Sequence, residues 1–200
     1  MFHSSTSRAN SPARDDGQLT PSLRWLAFGL ALIMNFAAQA RPPEPEGYRM
    51  EDYRSQTPET VVGGVVLDTD AAHGLWAGQH AVWVDVLPTP QRPANLPPSA
   101  LWKPLPHRDI PGSIWLPEIG RGALSPQLEV YFRDHLEAAT KSRLNAPVVF
   151  YCLADCWMSW NAAKRAASWG YTRVYWYRDG TDGWEAANLP THIAEPVPEP

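Results

Sequence analysis

The sequence predicts an α/β fold with a mostly parallel central sheet and helices on both faces. Short β-branched and aromatic runs read as strands: VVLD at 65–68, AVWVDV at 81–86, VVFYC at 148–152 and VYWY at 174–177. Segments with helical spacing of apolar residues alternate with them, and a strand–helix–strand order makes neighbouring strands parallel. The helix expected after the third run carries Ala162, Ala163, Ala166 and Ala167 as a small-residue stripe. Such a stripe lets a helix lie close on a sheet, with Lys164 and Arg165 pointing away from it.

Along the chain, the run WLAFGLALIMNFAAQA after Arg24 is apolar and closes on Ala38 and Ala40. It reads as a signal peptide spanning 1–40, ahead of retention as an N-terminal membrane anchor, because its apolar core of about 15 residues is short of the about 20 that span a bilayer. Residues 41–61 form an N-terminal extension that opens with RPPEPEG, and 191–200 form a tail that closes with EPVPEP. The stretches 41–47 and 195–200 combine proline with glutamate and lack an apolar period, so they read as solvated and are not expected to carry the site. The folded domain is expected over 62–190.

Within it, VVLD is a first strand, and Thr69 is placed to cap a helix through Ala77 whose apolar members are Ala72, Leu75 and Trp76. AVWVDV follows as a strand ending in acid. From Pro88 to Pro117 the density of proline excludes a long helix and implies an irregular surface excursion, a rim or lid. Its end, DIPGSIWLP, gives a Pro-Gly turn and then a short strand. Ser125–Leu136 places Leu128, Tyr131, Phe132 and Leu136 near one helical face. A strand at 147–152, a helix from a capping Ser159 to about Gly170, and VYWY complete the order.

The chemistry concentrates at VVFYCLADCWMSW, 148–160, which holds both cysteines of the chain. The strand delivers Cys152 to the C-terminal edge of the sheet, where open α/β folds bind ligands. Leu153, Ala154, Asp155, Trp157, Met158 and Ser159 are read as the active-site loop. Its amides and the helix N-terminus would lower a thiol pKa and bind an anionic sulfur species, while Asp155 works against that. In an oxidising compartment Cys152 and Cys156 would also be able to pair, since residues four apart on a helical turn bring their Cα atoms to about 6 Å. A loop so short gains little from cross-linking, which makes redox chemistry a better reading than a structural bridge. A soft Cu(I) site from Cys152, Cys156 and Met158, with a histidine such as His107, is the metal alternative, and otherwise no cofactor is implied. One cysteine pair is too few ligands for structural zinc unless histidines converge on it.

Asp85 and Asp182 stand behind the site, orienting loop amides or capping turns. The 10 tryptophans build either a large aromatic core or an aromatic wall beside the cysteines; Trp157 is the candidate for the wall, facing a flat quinone-like ligand or a partner protein. His73, His80, His135 and His192 read as surface or helix residues. A net charge of -4 without a basic run argues against nucleic acid or an anionic membrane as the partner. No Ser-His-Asp order, phosphate loop or EF-hand pattern is present.

WVDV (83–86), the IPG turn (110–112), the YC strand end (151–152), the paired-alanine helix before Gly170–Tyr171, DGTDGW (179–184) and NLP (188–190) together resemble the rhodanese-like family, in its order. The resemblance implies that Cys152 accepts a sulfane sulfur as a persulfide cradled by loop amides. Three positions depart from the family pattern: Trp157 and Leu87 stand where it commonly carries arginine, and Asp109 where a histidine precedes the IPG turn. The YCLADCWMSWNAAKRA and WYRDGTDGW blocks and the leader look like the exported CXXCW-motif group associated with pyrroloquinoline quinone (PQQ)-dependent catabolism; the spacing here is Cys-x-x-x-Cys-Trp. That likeness implies a periplasmic accessory protein of quinoprotein alcohol oxidation, free of the membrane after cleavage. Its partner would be the quinoprotein dehydrogenase system or a sulfur donor or acceptor protein. On this reading Cys152 is the nucleophilic thiolate and Cys156 the resolving thiol, in sulfurtransferase or thiol-disulfide chemistry. The alternative is a non-catalytic binding or chaperone module for a dehydrogenase, a cytochrome or a copper or quinone cofactor.

Overall fold

Four short, mostly apolar runs, each four residues long, make most of the sheet: β1 (Gly64–Leu67), β2 (Val82–Asp85), β5 (Val148–Tyr151) and β6 (Val174–Tyr177). With β4 (Ser113–Trp115) they give a five-stranded sheet in the order β1-β6-β5-β2-β4, every pair parallel. This computed structural model describes residues 40–198; the expected signal peptide lies outside the described residues apart from Ala40. Among the described residues no helix is long and apolar enough to cross a membrane.

Helices cover both faces, as the alternation predicts: α1 (Thr69–Ala77), α2 (Pro126–Thr140), α3 (Trp157–Ser168) and α4 (Gly180–Ala186). The strand period of two sorts the core into two layers. Val148 and Phe150 of β5 pack with Phe132 and Leu136 of α2 and with Trp160, Ala162, Ala163 and Ala166 of α3. Val149 and Tyr151 pack on the other side with Trp83, Ala72 of α1 and Trp184 of α4. The tryptophans are therefore largely core: Trp160, Trp176 and Trp184 are fully buried.

Element ends differ from expectation where a side chain found a better partner. Asp68, not Thr69, caps α1 by accepting from Ala71 N at 2.8 Å, while the Thr69 hydroxyl bonds Tyr177 Oη at 2.9 Å. Ser125 caps α2 through Leu128 N at 3.1 Å with Pro126 behind it, but the helix continues to Thr140, whose hydroxyl donates to Leu136 O. The seven-residue α4 has no apolar period to announce it, and at that length isolated helices are not stable in water. Burial of Trp184, worth about 3 kcal/mol for so large a side chain, holds it in place. The excursion after Pro88 is irregular as expected, then forms β3 (Arg108–Asp109), which pairs antiparallel with β7 (His192–Ile193).

Lys164 and Arg165 leave the sheet face but not for open solvent. Lys164 Nζ donates to the carbonyls of Pro45, Glu46 and Gly47. Arg165, only 6% exposed, donates to the carbonyls of Ile119, Arg121 and Gly122. The segment 41–47, expected to be a solvated tail, is thereby tied to α3. The C-terminal tail is tied as well, through Val197 N to Trp115 O at 2.9 Å.

Candidate active site

In the sheet order, the chain runs one way from β2 to β4 and the other way from β5 to β6, so the topology switches between β5 and β2. Cys152 follows β5 at that switch point, level with the end of β2 at Asp85. Its carbonyl accepts from Thr181 N at 2.9 Å at the start of α4. Gly180 has φ +55, and a Cβ there would collide with the same carbonyl, so only glycine fits this buttress. Leu153, Ala154 and Asp155 then turn back, with Asp155 left-handed at φ 49 and Ala154 N donating to Asp182 Oδ2 at 3.0 Å. Asp182 thus orients a loop amide.

Helix α3 starts at Trp157 with Cys156 as its N-cap, two residues before the Ser159 start expected from sequence. Trp157, Met158 and Ser159 therefore form its first turn and not the loop. Ser159 is spent inside the helix: its hydroxyl donates to Cys156 O at 2.9 Å and accepts from Trp176 Nε1 at 3.0 Å. Trp157 is 3% exposed, which removes it as an open aromatic wall.

The Sγ atoms of Cys152 and Cys156 lie 2.7 Å apart, both are free thiols, and they are 1% and 2% exposed. The two environments differ. Cys156 is held down to about 7, first by the hydrogen bond from Cys152 and then, against burial, by the amides of Met158 and Ser159 and the charge of Arg54. Burial pushes the Cys152 thiol well up, and the Cys156 sulfur and Asp85 add to it. Helix amides and Arg54 favour a thiolate on Cys156, whereas burial and Asp85 oppose one on Cys152.

Residues 70–187, more than half of the chain, match the model of the rhodanese-like domain family. The chain belongs to this family. Among solved structures, a thiosulfate sulfurtransferase from Pseudomonas aeruginosa is 17% identical with a TM-score of 0.46, covering 66% of this chain and 21% of its own. A polysulfide-sulfur transferase homodimer from Wolinella succinogenes is 20% identical with a TM-score of 0.40, covering 67% and 82%. A human single-domain sulfurtransferase is 21% identical with a TM-score of 0.38, covering 60% and 95%. This chain spans about a fifth of the Pseudomonas protein. No curated protein matches the sequence.

Around the thiols of this rhodanese-like domain, the family's usual charges are rearranged. Asp85, fully buried, accepts from Leu87 N at 2.8 Å and pairs with His107 Nε2 at 2.6 Å. His107, the histidine considered for copper, is thus turned onto a carboxylate. Among the described residues no three His, Cys, Asp or Glu side chains gather to hold a metal ion. Asp109, 1% exposed, has no well-aligned hydrogen-bond donor on either oxygen; His192 Nδ1 approaches Oδ1 to 2.9 Å without that alignment. Burial, and then Asp85, push the Asp109 carboxyl up to about 7.

The positive charge absent from the Cys loop comes from the N-terminal extension. Arg54 forms an antiparallel bridge with Cys156, and its guanidinium lies 3.9 Å from Asp182. Arg41 Nη1 pairs with Asp155 Oδ1 at 2.7 Å, and Thr57 donates to the same oxygen from N and Oγ1 at 3.3 and 3.2 Å. Burial pushes the Asp155 carboxyl up, but these donors outweigh it and hold it below its ordinary range. Sequence reasoning missed Arg41 and Arg54. The available signal was arginine recurring at 41, 49 and 54 in a segment otherwise rich in proline and acid.

Proposed function

We propose that this rhodanese-like protein carries out sulfur-transfer or thiol-exchange chemistry at the Cys152–Cys156 pair, as an exported accessory factor of PQQ-dependent alcohol oxidation in the periplasm. The observation that carries the chemical part is the contact of two free thiols, 2.7 Å apart, at the sheet's switch point and a helix N-terminus. The cellular setting rests on the leader and on the likeness of the YCLADCWMSWNAAKRA and WYRDGTDGW blocks to the CXXCW-motif group.

In this mechanism the Cys156 thiolate attacks the outer sulfur of a persulfide donor, R–S–SH, forming Cys156–S–SH and releasing R–S⁻. Cys152 then attacks the inner sulfur of Cys156, closing a Cys152–Cys156 disulfide and releasing the transferred sulfur as hydrogen sulfide. A thiol reductant resets the pair. Leu153 provides a loop amide to Cys152, Met158 and Ser159 provide amides to Cys156 at the helix start, and the Ala154 amide holds the loop by donating to Asp182.

The test is the intact mass of protein recovered from periplasm with thiols trapped at lysis, before and after a sulfane-sulfur donor. The expected result is one added sulfur, removable by reductant, on Cys152→Ser and none on Cys156→Ser, while the unaltered, reduced protein loses two hydrogens as Cys152 closes the disulfide. Loss in Cys152→Ser with retention in Cys156→Ser would reverse the roles. A mass short by two hydrogens and unmoved by the donor would favour the second reading, a binding or chaperone module for the dehydrogenase system. Burial of both thiols is the observation that supports this second reading.

A further inference from the structure

Residues 51–56 arch over the cysteine loop with both feet planted on α3. At the upstream foot, Arg49 N donates to Asn161 Oδ1 at 2.9 Å and Asn161 Nδ2 returns a bond to Arg49 O at 2.8 Å. At the downstream foot, Thr57 is fully buried against Asp155, and Thr60 O accepts from Trp160 Nε1 at 2.9 Å. Between the feet the arch meets the site mainly through its backbone. Trp157 N donates to Tyr53 O at 2.9 Å, Arg54 bridges Cys156, and Ser55 Oγ accepts from Trp157 Nε1 at 3.0 Å. Tyr53 Oη, at the upstream end, accepts from Gly122 N at 3.0 Å.

Such a bridge is independent of side-chain identity, so any extended segment is able to make it. The selective element is charge. Asp155 and Asp182 flank the cysteines, and each is answered by an arginine of the extension, Arg41 at 2.7 Å and Arg54 at 3.9 Å. The first pair belongs to the buried foot. The second belongs to the open span, with the Arg54 side chain 53% exposed and Asp182 51% exposed. The arch is thus an extended segment, net acidic through Glu51 and Asp52 but turning Arg54 to the site, lying on thiols that are otherwise closed to solvent.

We propose that the arch is a gate, and that an extended segment of a partner protein bearing a cysteine next to an arginine replaces it, taking over the bridge to Cys156 and the pairing with Asp182. The proposal rests on the thiol-pair reading and names its substrate class: a protein disulfide or persulfide, not a small free anion. Opening the span breaks a few hydrogen bonds and leaves both feet attached. The incoming basic residue restores the charge beside Cys156 that Arg54 takes away on leaving.

The test uses the reduced protein with two probes. One is iodoacetamide, small and neutral. The other is a peptide of residues 50–57 with Ser55→Cys carried as its thiopyridyl disulfide, together with a second peptide that also has Arg54→Glu. The Cys156 thiolate attacks the peptide sulfur, a mixed disulfide forms, and pyridine thiolate leaves and is read by absorbance. In the protein, Arg54→Glu is expected to raise the plateau alkylation rate at high pH about ten-fold, where loss of the arginine's effect on ionisation no longer counts. Against the unaltered protein, the peptide that keeps Arg54 is expected to react about ten-fold faster than its charge-reversed counterpart. Equal plateau rates for the two proteins, or equal rates for the two peptides, would overturn the gate. A thermal melt of Arg54→Glu matching the parent excludes general loosening as the cause, and Arg54→Ala serves if it does not match. The chemistry stands or falls separately, by whether sulfur adds to Cys156 in the mass experiment.

Discussion

Cys152 and Cys156 are the same residue type four positions apart, yet the fold pushes their ionisation in opposite directions. The difference comes from what each sulfur faces: Cys156 has the Cys152 thiol, two helix amides and Arg54, whereas Cys152 has burial and the Asp85 carboxylate. Because the hydrogen bond from Cys152 is the largest influence on Cys156, Cys152→Ala is expected to raise the pKa of Cys156 from about 7 toward its ordinary value. The pH profile of alkylation of Cys156 measures this, and an unchanged midpoint would assign the depression to the helix amides and Arg54 alone. The strand-end position of Cys152 was legible from four apolar residues and a cysteine. The difference between the two thiols was not, since it depends first on their contact with each other and on burial, which tertiary packing sets.

At the scale of elements, α3 and α4 hold the site from two sides. Helix α3 brings Cys156 to its N-terminus, and its buried Asn161 and Arg165 hold the extension and the 119–122 turn beside it. Helix α4 supports Cys152 through Gly180, Thr181 and Asp182. Gly180→Ala places a Cβ against the Cys152 carbonyl and forces a left-handed backbone on alanine, so a loss of about 2 kcal/mol is expected. Urea unfolding measures it, and faster thiol alkylation should accompany the loss because the same contact locates Cys152. The sequence reveals α3 through its alanine stripe. It hides α4, whose glycines lower helix propensity and whose only strong anchor is one tryptophan buried by tertiary packing.

At the scale of the molecule, β3 and β7 clasp the proline-rich excursion to the C-terminal segment, with Asp109 opposite His192. Folding raises the Asp109 pKa from 3.8 to about 7, so the folded state holds its proton more tightly than the unfolded chain. The stability from this proton is complete below about pH 4 and is lost as pH rises through about 7. Asp109→Asn removes the titration, and its stability relative to the parent should climb by up to about 1.4 kcal/mol per pH unit across that window. Urea unfolding at pH 5 and pH 7.5 checks it; an equal difference at both would show that Asp109 ionises normally. By itself the sequence determined the α/β alternation, the faces of the strands and the placing of Cys152 at a sheet edge. Those features are written in local periodicity, which the backbone enforces wherever the segment lies. Only the tertiary structure decided that Asp85 pairs with His107 and that Cys156 carries the lower pKa. It alone also laid Arg41 and Arg54 over the cysteine loop, because such pairings form between segments distant in the chain, where burial and geometry choose the partner.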